Sequence, residues 1–188
     1  AAVVGAPPEA QERARGPAAR RLGWDRPGYN EHTIGPGKPA GTPAWVTGMR
    51  KELRPYTFYV PHRYDYAAGP AVPLWILAPG TFQTMEDVLT KTGLYKYAEK
   101  HNVAMAAIEG QSLKLSVGYN ARAEGWPWPD DVAYTKSVLR SVTEKINVDY
   151  NGIRCVGFSR GARFCTRLAS ELSNFIAAIA VASGIRFP

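Results

Sequence analysis

The residues best suited to chemistry form a G-x-S-x-G motif at Gly157, Phe158, Ser159, Arg160 and Gly161. The motif follows an apolar run and precedes a helical pattern, so it lies where a strand turns sharply into a helix. In that context a serine is lifted above the carboxyl ends of the strands, while the glycines let strand and helix pack closely. The motif alone also occurs in ordinary turns, but this context favours Ser159 as a nucleophile.

A nucleophilic serine needs a general base, and the sequence after Ser159 does not provide one. No aspartate or histidine follows it, and the only later carboxylate is Glu171, inside a predicted helix. The three histidines, His32, His62 and His101, all precede the motif. We expect His62 and His101 to be surface residues, whereas His32 lies in a flexible stretch from which it could reach a site.

The other candidate site residues each have a structural interpretation as well. Glu109 ends a predicted buried strand and faces the expected ligand crevice, where a structural hydrogen bond and a catalytic role fit it equally. Trp126 and Trp128 lie in a long irregular loop and are suited to stacking on an aromatic acid or sugar, or to packing of the loop. Asp130 and Asp131 could bind a metal ion, but capping of the next helix is the simpler interpretation.

The sequence contains no signature of a cofactor, a metal centre or a nucleic-acid module. It has no phosphate-binding loop, no dinucleotide-binding glycine pattern and no zinc-ligand spacing. The 188 residues carry a formal charge of +7 without a Lys/Arg block, so scattered solvated charge is expected rather than nucleic-acid binding. No apolar run approaches the roughly 20 residues that span a bilayer, so no membrane span is expected.

The cysteines and the first residues of the chain bear on the cellular compartment of the protein. Cys155 and Cys165 are expected to be buried small hydrophobes. A disulfide between them is compatible with the pattern but not required, so the redox compartment stays open. The first residue is Ala1, and the Ala/Arg-rich segment after it resembles the start of a chain from which a transit or signal peptide has been cleaved. This bias suggests a secreted or organellar protein.

Proline and glycine divide the chain into two regions. Residues 1–45 hold seven of the 15 prolines and seven of the 18 glycines, which disfavours helices and central strands. We expect this region to be an extended arm that lies on the domain or on a partner. Residues 46–188 carry the pattern of a folded domain.

Predicted strands alternate with predicted helices in the second region. The strand at residues 52–61 contains Pro55, which indicates an edge position because proline cannot donate to a ladder. Four more apolar runs predict buried strands, at residues 72–78, 103–110, 152–157 and 175–184. Helices are predicted at residues 92–101, from 131 to 146 and after the G-x-S-x-G motif. This order implies an α/β fold, a mostly parallel sheet with helices on both faces.

Several stretches in this order carry a family resemblance. They are the "PYTFYVP" strand, the "PLWILAPGTFQT" strand and glycine loop, the aspartate pair that opens a helix, "VD" before "RCVGFSRG", the "RLA" helix and the "FIAAIAVASG" strand. Together they resemble α/β-hydrolases of the polyhydroxybutyrate depolymerase and feruloyl esterase type. The resemblance covers about residues 52–186 and does not extend over residues 1–45.

The resemblance implies a role for four residues. Ser159 would attack an ester carbonyl. The backbone N–H of Arg160 would form half of the oxyanion hole, and the N–H of Thr81 or Phe82 the other half.

The sequence departs from the family in three ways. Pro79 and Gly80 stand where the family usually has a His-Gly pair, and proline has no N–H to donate. The family's Asp and His, which come later in sequence than the serine, are not found after Ser159. The last two strands of the usual sheet are also missing.

Three functional hypotheses remain. The first is a carboxylic ester hydrolase whose Asp and His lie outside this chain, acting on a small ester or a polyester. The second is a catalytically inactive, hydrolase-like subunit of a larger assembly. The third, an unrelated α/β binding module, is the least favoured. For the first two we expect either a partner polypeptide or a missing C-terminal part that covers the truncated sheet edge, and no cofactor.

Overall fold

The computed structural model of the protein describes residues 28–34, 54–65, 69–118 and 129–184. The strands are β1 (Gly28–Ile34), β2 (Arg54–Val60), β3 (Leu74–Ala78), β4 (Ala104–Ile108), β5 (Arg154–Phe158) and β6 (Ala178–Ala182). The α-helices are α1 (Leu94–His101), α2 (Asp131–Thr143) and α3 (Arg160–Glu171). A π-helical turn (Asp87–Lys91) and two 3₁₀ turns (Gln111–Leu113 and Tyr150–Gly152) complete these elements.

The six strands form one sheet in the order β1-β2-β4-β3-β5-β6. Strands β4, β3, β5 and β6 run parallel to one another, whereas β2 is antiparallel to both β1 and β4. Each parallel crossover passes through one α-helix, as short right-handed βαβ connections require. The predicted mostly parallel α/β sheet is confirmed.

Helices cover both faces of the sheet. Trp75 of β3 stacks on Tyr97 of α1 with ring centroids 4.9 Å apart. The next residue, Ile76, lies beside Cys155 of β5, and Cys155 is bonded to Cys165 of α3. Because successive side chains of a strand point to opposite faces, α1 and α3 lie on opposite faces.

Helix α2 lies on the same face as α3. The hydroxyls of Tyr56 in β2 and Ser141 in α2 are 2.8 Å apart and share a hydrogen bond. Tyr56 is paired with Ile108, which points to the same face as Ala106, the partner of Ile76. The carboxyl ends of β3, β4, β5 and β6 therefore meet at one edge of a sheet that carries α2 and α3 on one face and α1 on the other.

The core lies between the central strands and these helices. Its largest fully buried side chains include Tyr56, Phe58, Leu74, Ile76, Leu77, Met105, Ile108, Tyr134 and Phe164. Within the described part of the chain, no helix is long and apolar enough to cross a membrane.

Two predictions about the strands were wrong. Pro55 does not mark an edge strand, because β2 lies between β1 and β4. The ladder with β4 starts only at Tyr56, so the missing N–H of Pro55 leaves that ladder intact. Strand β6 forms where predicted but is not buried: all its residues except the half-buried Val181 are exposed. It is the last strand of the described sheet, and apart from β5 only α3 packs on it closely among the described elements.

The extended arm and the domain boundary remain predictions. Of residues 1–45 only 28–34 are described, and they pair with β2 as the outer strand β1. The other residues of this region lie outside the described part.

Candidate active site

Ser159 occupies a strained turn between β5 and α3. Its backbone angles are φ 53° and ψ −115°, a region that residues with a side chain rarely adopt. Its N–H donates to the Ala182 carbonyl at 2.9 Å, which fixes the turn against the end of β6. Its side chain does not cap α3 and is partly exposed. Strain of this kind persists only where the surrounding structure enforces it, and it concentrates at functional sites.

The two glycines of the motif are required by packing. A Cβ at Gly157 would lie 2.4 Å from the Gly161 carbonyl oxygen. A Cβ at Gly161 would lie 1.9 Å from the Ala78 carbonyl oxygen and 2.6 Å from that of Pro79. Both positions exclude any side chain, because β5, α3 and the end of β3 approach one another at backbone distance. The sequence motif therefore reflects a real steric demand.

A disulfide encloses the serine turn. Cys155 of β5 and Cys165 of α3 are bonded, with their Cα atoms 5.5 Å apart. Both are fully buried, as predicted, and the structure selects the disulfide that the sequence left open. Ser159 lies inside the loop that this bond closes.

The predicted oxyanion residues differ in the contacts that they make. Arg160 is the first residue of α3, so its N–H belongs to the positive end of the helix dipole. Its side chain donates from Nε to the Leu115 carbonyl at 2.6 Å. The Phe82 N–H donates to the Leu113 carbonyl at 3.0 Å, and it is not available to an oxyanion in this arrangement. The resemblance named the N–H of Thr81 or that of Phe82 as the second oxyanion donor. Since the Phe82 N–H is already bonded, the N–H of Thr81 is the remaining candidate.

Strained backbone gathers at the carboxyl edge of the sheet. Within the described residues, six positions other than glycine have a positive φ. Five of them follow β3, β4, β5 or β6, namely Phe82, Ser112, Leu113, Ser159 and Ser183, and the sixth, Asn102, ends α1. The loops around the serine are thus the most strained part of the described backbone.

Glu109 has a structural partner at the end of β4. Its carboxylate accepts the backbone N–H of Met85, and burial raises the pKa of the carboxyl. It therefore holds the segment after β3 against β4, which is the structural alternative considered for this residue.

The aspartate pair also has structural roles. Asp130 caps α2 by accepting the Ala133 N–H at 2.9 Å, as the sequence indicated. Asp131 is fully buried, lies 2.6 Å from Nη1 of Arg54 and accepts the Ser116 N–H. Burial raises the pKa of the Asp131 carboxyl, and the Arg54 guanidinium opposes that shift. No sequence signal pairs Arg54 with Asp131, because their contact depends on how the sheet and α2 meet.

The positions of the histidines exclude all three as a base for Ser159. His32 lies in β1, four strand spacings from β5, or roughly 19 Å. His62 follows the antiparallel β2, so it lies at the amino edge of the parallel strands, where Nδ1 is 2.9 Å from Glu99. His101 ends α1 just before β4 and lies at that same edge.

The loop before α2 holds the last two candidate binding residues, and the aspartate pair that follows it was considered as a metal site. Trp126 and Trp128 lie outside the described residues. Among the residues that are described, no group of three or more His, Cys, Asp and Glu side chains could hold a metal ion.

Comparisons with known proteins identify the fold. No family model matches the chain. A protein of Nocardia uniformis subsp. tsuyamanensis named "Putative esterase NocK" is 30% identical over 116 residues, which are 60% of this chain and 33% of that protein. The chain thus spans about a third of the length of this relative.

Solved structures share the architecture at low sequence identity. A thermostable esterase has a TM-score of 0.58 at 17% identity, covering 80% of this chain and 40% of that one. A ferulic acid esterase has a TM-score of 0.59 at 14% identity, covering 83% and 58%. FphF of Staphylococcus aureus, a fluorophosphonate-binding serine hydrolase, has a TM-score of 0.55 at 12% identity, covering 82% and 56%. The chain has the α/β-hydrolase fold and spans about half the length of these structures.

Proposed function

We propose that this chain carries the nucleophile of a serine carboxylic ester hydrolase, of the polyhydroxybutyrate depolymerase or feruloyl esterase type. The observation that carries the proposal is the strained turn at Ser159, between β5 and the start of α3. The similarity to a protein named as an esterase and the shared fold of solved esterases support it.

The reaction is acyl transfer in two steps. The Ser159 oxygen attacks the ester carbonyl while a general base takes the hydroxyl proton. The N–H groups of Thr81 and Arg160 stabilise the oxyanion that develops, and the dipole of α3 adds to this effect. The tetrahedral intermediate collapses, the alcohol leaves with the proton returned by the base, and water then hydrolyses the acyl-serine by the same route.

The base and its orienting carboxylate come from polypeptide outside this sequence. No histidine of the chain lies near Ser159, and the end of β6 lies next to it through the bond to Ala182. A strand added to the open side of β6 would end two strand spacings from β5, or roughly 10 Å. A histidine on the loop after such a strand can reach the serine. Denaturing electrophoresis of the labelled complete protein decides whether the labelled polypeptide is longer than 188 residues or is accompanied by a separate chain.

The surface beside the serine favours an apolar substrate. Phe158 precedes Ser159 and is 48% exposed, and Phe82 is 70% exposed. Lys114 Nζ lies 5.4 Å from the centre of the Phe82 ring. These aromatic side chains suit the acyl or alcohol part of a small apolar ester or of a polyester. The buried disulfide suits an oxidising compartment, which is in keeping with a secreted or organellar protein.

The second candidate function is a hydrolase-like subunit without activity. The observation in its favour is the position of the three histidines, none of which can activate Ser159. In that case β6 would bind a partner that brings no base.

A fluorophosphonate probe separates the two candidates. We expect the complete protein, with any polypeptide that accompanies it, to be labelled at Ser159. Ser159→Ala should abolish both the label and hydrolysis of p-nitrophenyl acetate. Ser183→Ala is the matched control, because Ser183 is exposed, directly follows β6 and also has a positive φ. It should leave both signals unchanged, and the lack of any label on the complete wild-type protein would refute the hydrolase proposal.

A further inference from the structure

The segment after β3 is closed into a tight turn by Gln83. The Gly80 N–H donates to Gln83 Oε1 at 2.7 Å, and the Gln83 N–H donates back to the Gly80 carbonyl at 3.2 Å. A Cβ at Gly80 would lie 2.7 Å from Gln83 Oε1 and 3.2 Å from Cδ1 of Phe158. The side chain of Gln83 is therefore packed over Gly80, next to the residue that precedes the serine.

Three consecutive backbone N–H groups in this turn, those of Gly80, Thr81 and Phe82, differ in their hydrogen-bond acceptors. The first, of Gly80, is taken by the Gln83 side chain, and the third, of Phe82, is taken by the Leu113 carbonyl at 3.0 Å. Phe82 and Leu113 both have positive φ, at 65° and 58°. This backbone conformation indicates that the hydrogen bond from the Phe82 N–H to the Leu113 carbonyl is enforced against local preference. Between them, in the described structure, the Thr81 N–H has no such acceptor.

The turn is also fixed against the serine. The close approach of Gly161 to the carbonyls of Ala78 and Pro79 seats the start of this segment on the first turn of α3. These contacts bring the segment that carries Thr81 to the start of α3, where the proposed function needs a second oxyanion donor beside the N–H of Arg160.

We infer that Gln83 is a positioning residue: by holding the Gly80 amide, it fixes the turn that presents the Thr81 N–H as the oxyanion donor. The inference rests on the proposed function and deepens it. Pro79 has no N–H, so the first amide of the turn is that of Gly80, and the side-chain oxygen of Gln83 holds it. Donors that are held in place before the reaction stabilise the transition state more than donors that must be ordered during it.

The test compares three variants of the complete protein. Gln83→Met keeps the length of the side chain but removes the acceptor. Gln83→Glu keeps an acceptor oxygen at the same position. Gln111→Met is the matched control, because Gln111 is an exposed glutamine in the neighbouring 3₁₀ turn. The readouts are hydrogen exchange at the Gly80 amide, kcat and KM for p-nitrophenyl acetate, and the rate of labelling by a fluorophosphonate.

In Gln83→Met we expect exchange at Gly80 to be at least about tenfold faster, since its acceptor is lost. The value of kcat and the labelling rate should fall by about 10- to 1,000-fold, because loss of one oxyanion donor has effects up to that size. KM should stay within about threefold, since the donor acts in the transition state. Gln83→Glu should restore slow exchange at Gly80, and Gln111→Met should match the wild type in every readout.

Two results would overturn the inference. One is unchanged exchange at Gly80 in Gln83→Met, which would show that Gln83 does not hold the turn. The other is faster exchange with unchanged kcat and labelling, which would show that the turn does not position a donor. If the wild type is neither labelled nor active, the proposed function fails and the donor role fails with it. The exchange measurement then still decides whether Gln83 closes the turn.

Discussion

Strands β4 and β6 have nearly the same kind of sequence and opposite environments. Strand β4 reads AMAAI and β6 reads AIAVA, five small or aliphatic residues in each case. Every residue of β4 is buried, whereas four of the five in β6 are exposed and Val181 is half-buried. The difference lies in their neighbours: among the described strands, β4 has β2 and β3 on its two sides, whereas β6 has only β5.

The comparison separates a closed side of the sheet, β1 to β4, from an open side, β5 and β6. On the closed side the loops around the serine are anchored by backbone and side-chain contacts within the chain. On the open side lies the edge that the proposed base must approach. An uncharged apolar edge strand is a template for pairing with more polypeptide. In the proposed function, the two sides thus correspond to the part of the site that the chain builds and the part that other polypeptide supplies.

The largest expected effect comes from placing a charge in the centre of each strand. Ala106→Asp buries an unpaired carboxylate in β4 and should lower the free energy of unfolding by at least about 4 kcal/mol. Ala180→Asp, at the same position of β6, should change that free energy by less than about 1 kcal/mol in the 188-residue chain. Urea denaturation checks both values. Equal effects in the two strands would contradict the distinction between the sides.

The same Ala180→Asp variant sharpens the comparison in the complete protein. If further polypeptide covers β6, the charge is buried there too, so the variant should then weaken association or stability by several kcal/mol. A thermal melt of the complete protein checks this expectation. A variant that is silent in both settings would show that β6 stays uncovered.

The next effect concerns the ion pair that ties β2 to α2 on the closed side. Arg54→Met leaves the fully buried Asp131 without its cation, and removal of one partner of such a pair costs about 3–5 kcal/mol. Urea denaturation should show this loss. Lys136→Met on the exposed part of α2 is the control and should change stability by less than about 0.5 kcal/mol. Similar losses of unfolding free energy in the two variants would mean that the ion pair does not contribute specifically to stability.

On the open side, the disulfide between Cys155 and Cys165 stabilises α3 where no further strand does. Replacing both cysteines by alanine should lower the free energy of unfolding by about 3 kcal/mol, because the closed loop restricts the unfolded chain. The variant should no longer respond to dithiothreitol, whereas the wild type should lose a similar amount on reduction. A wild type that is indifferent to the reductant would contradict this role.

The smallest expected effect is the pH dependence contributed by Glu109. Burial raises the pKa of its carboxyl, so the folded state holds the proton more tightly than the unfolded state does. Its contribution is complete below the unfolded pKa and is lost as the pH rises through the folded pKa. Glu109→Gln should therefore gain stability relative to the wild type as the pH rises from about 4 to about 7, measured by urea denaturation. A change in the opposite direction would contradict the shift.

Local sequence predicted the elements well where a residue's role depends on its near neighbours. The turn at Ser159 follows from glycines that no side chain could replace, and the Asp130 cap follows from the helix that it begins. The mostly parallel sheet follows from strands and helices that alternate along the chain.

Long-range contacts explain the features that the sequence did not predict. The apolar pattern of β6 predicts a buried strand, but burial depends on polypeptide that lies beside it. The contact of Arg54 with Asp131 depends on the packing of α2 against the sheet, and the Gln83 contact with Gly80 depends on the path of the turn. Neither of these two contacts produces a periodic pattern of apolar and polar residues that could be recognised in the sequence.

The most direct test of the central claim is the rate at which a fluorophosphonate labels Ser159 in two settings. One is the 188-residue chain alone, and the other is the complete protein with the polypeptide that covers β6. The chain alone should react at least about 1,000-fold more slowly, because it has the turn but no base. Equal rates in the two settings, or no reaction in either, would contradict the claim that the chain supplies the nucleophile and other polypeptide supplies the base.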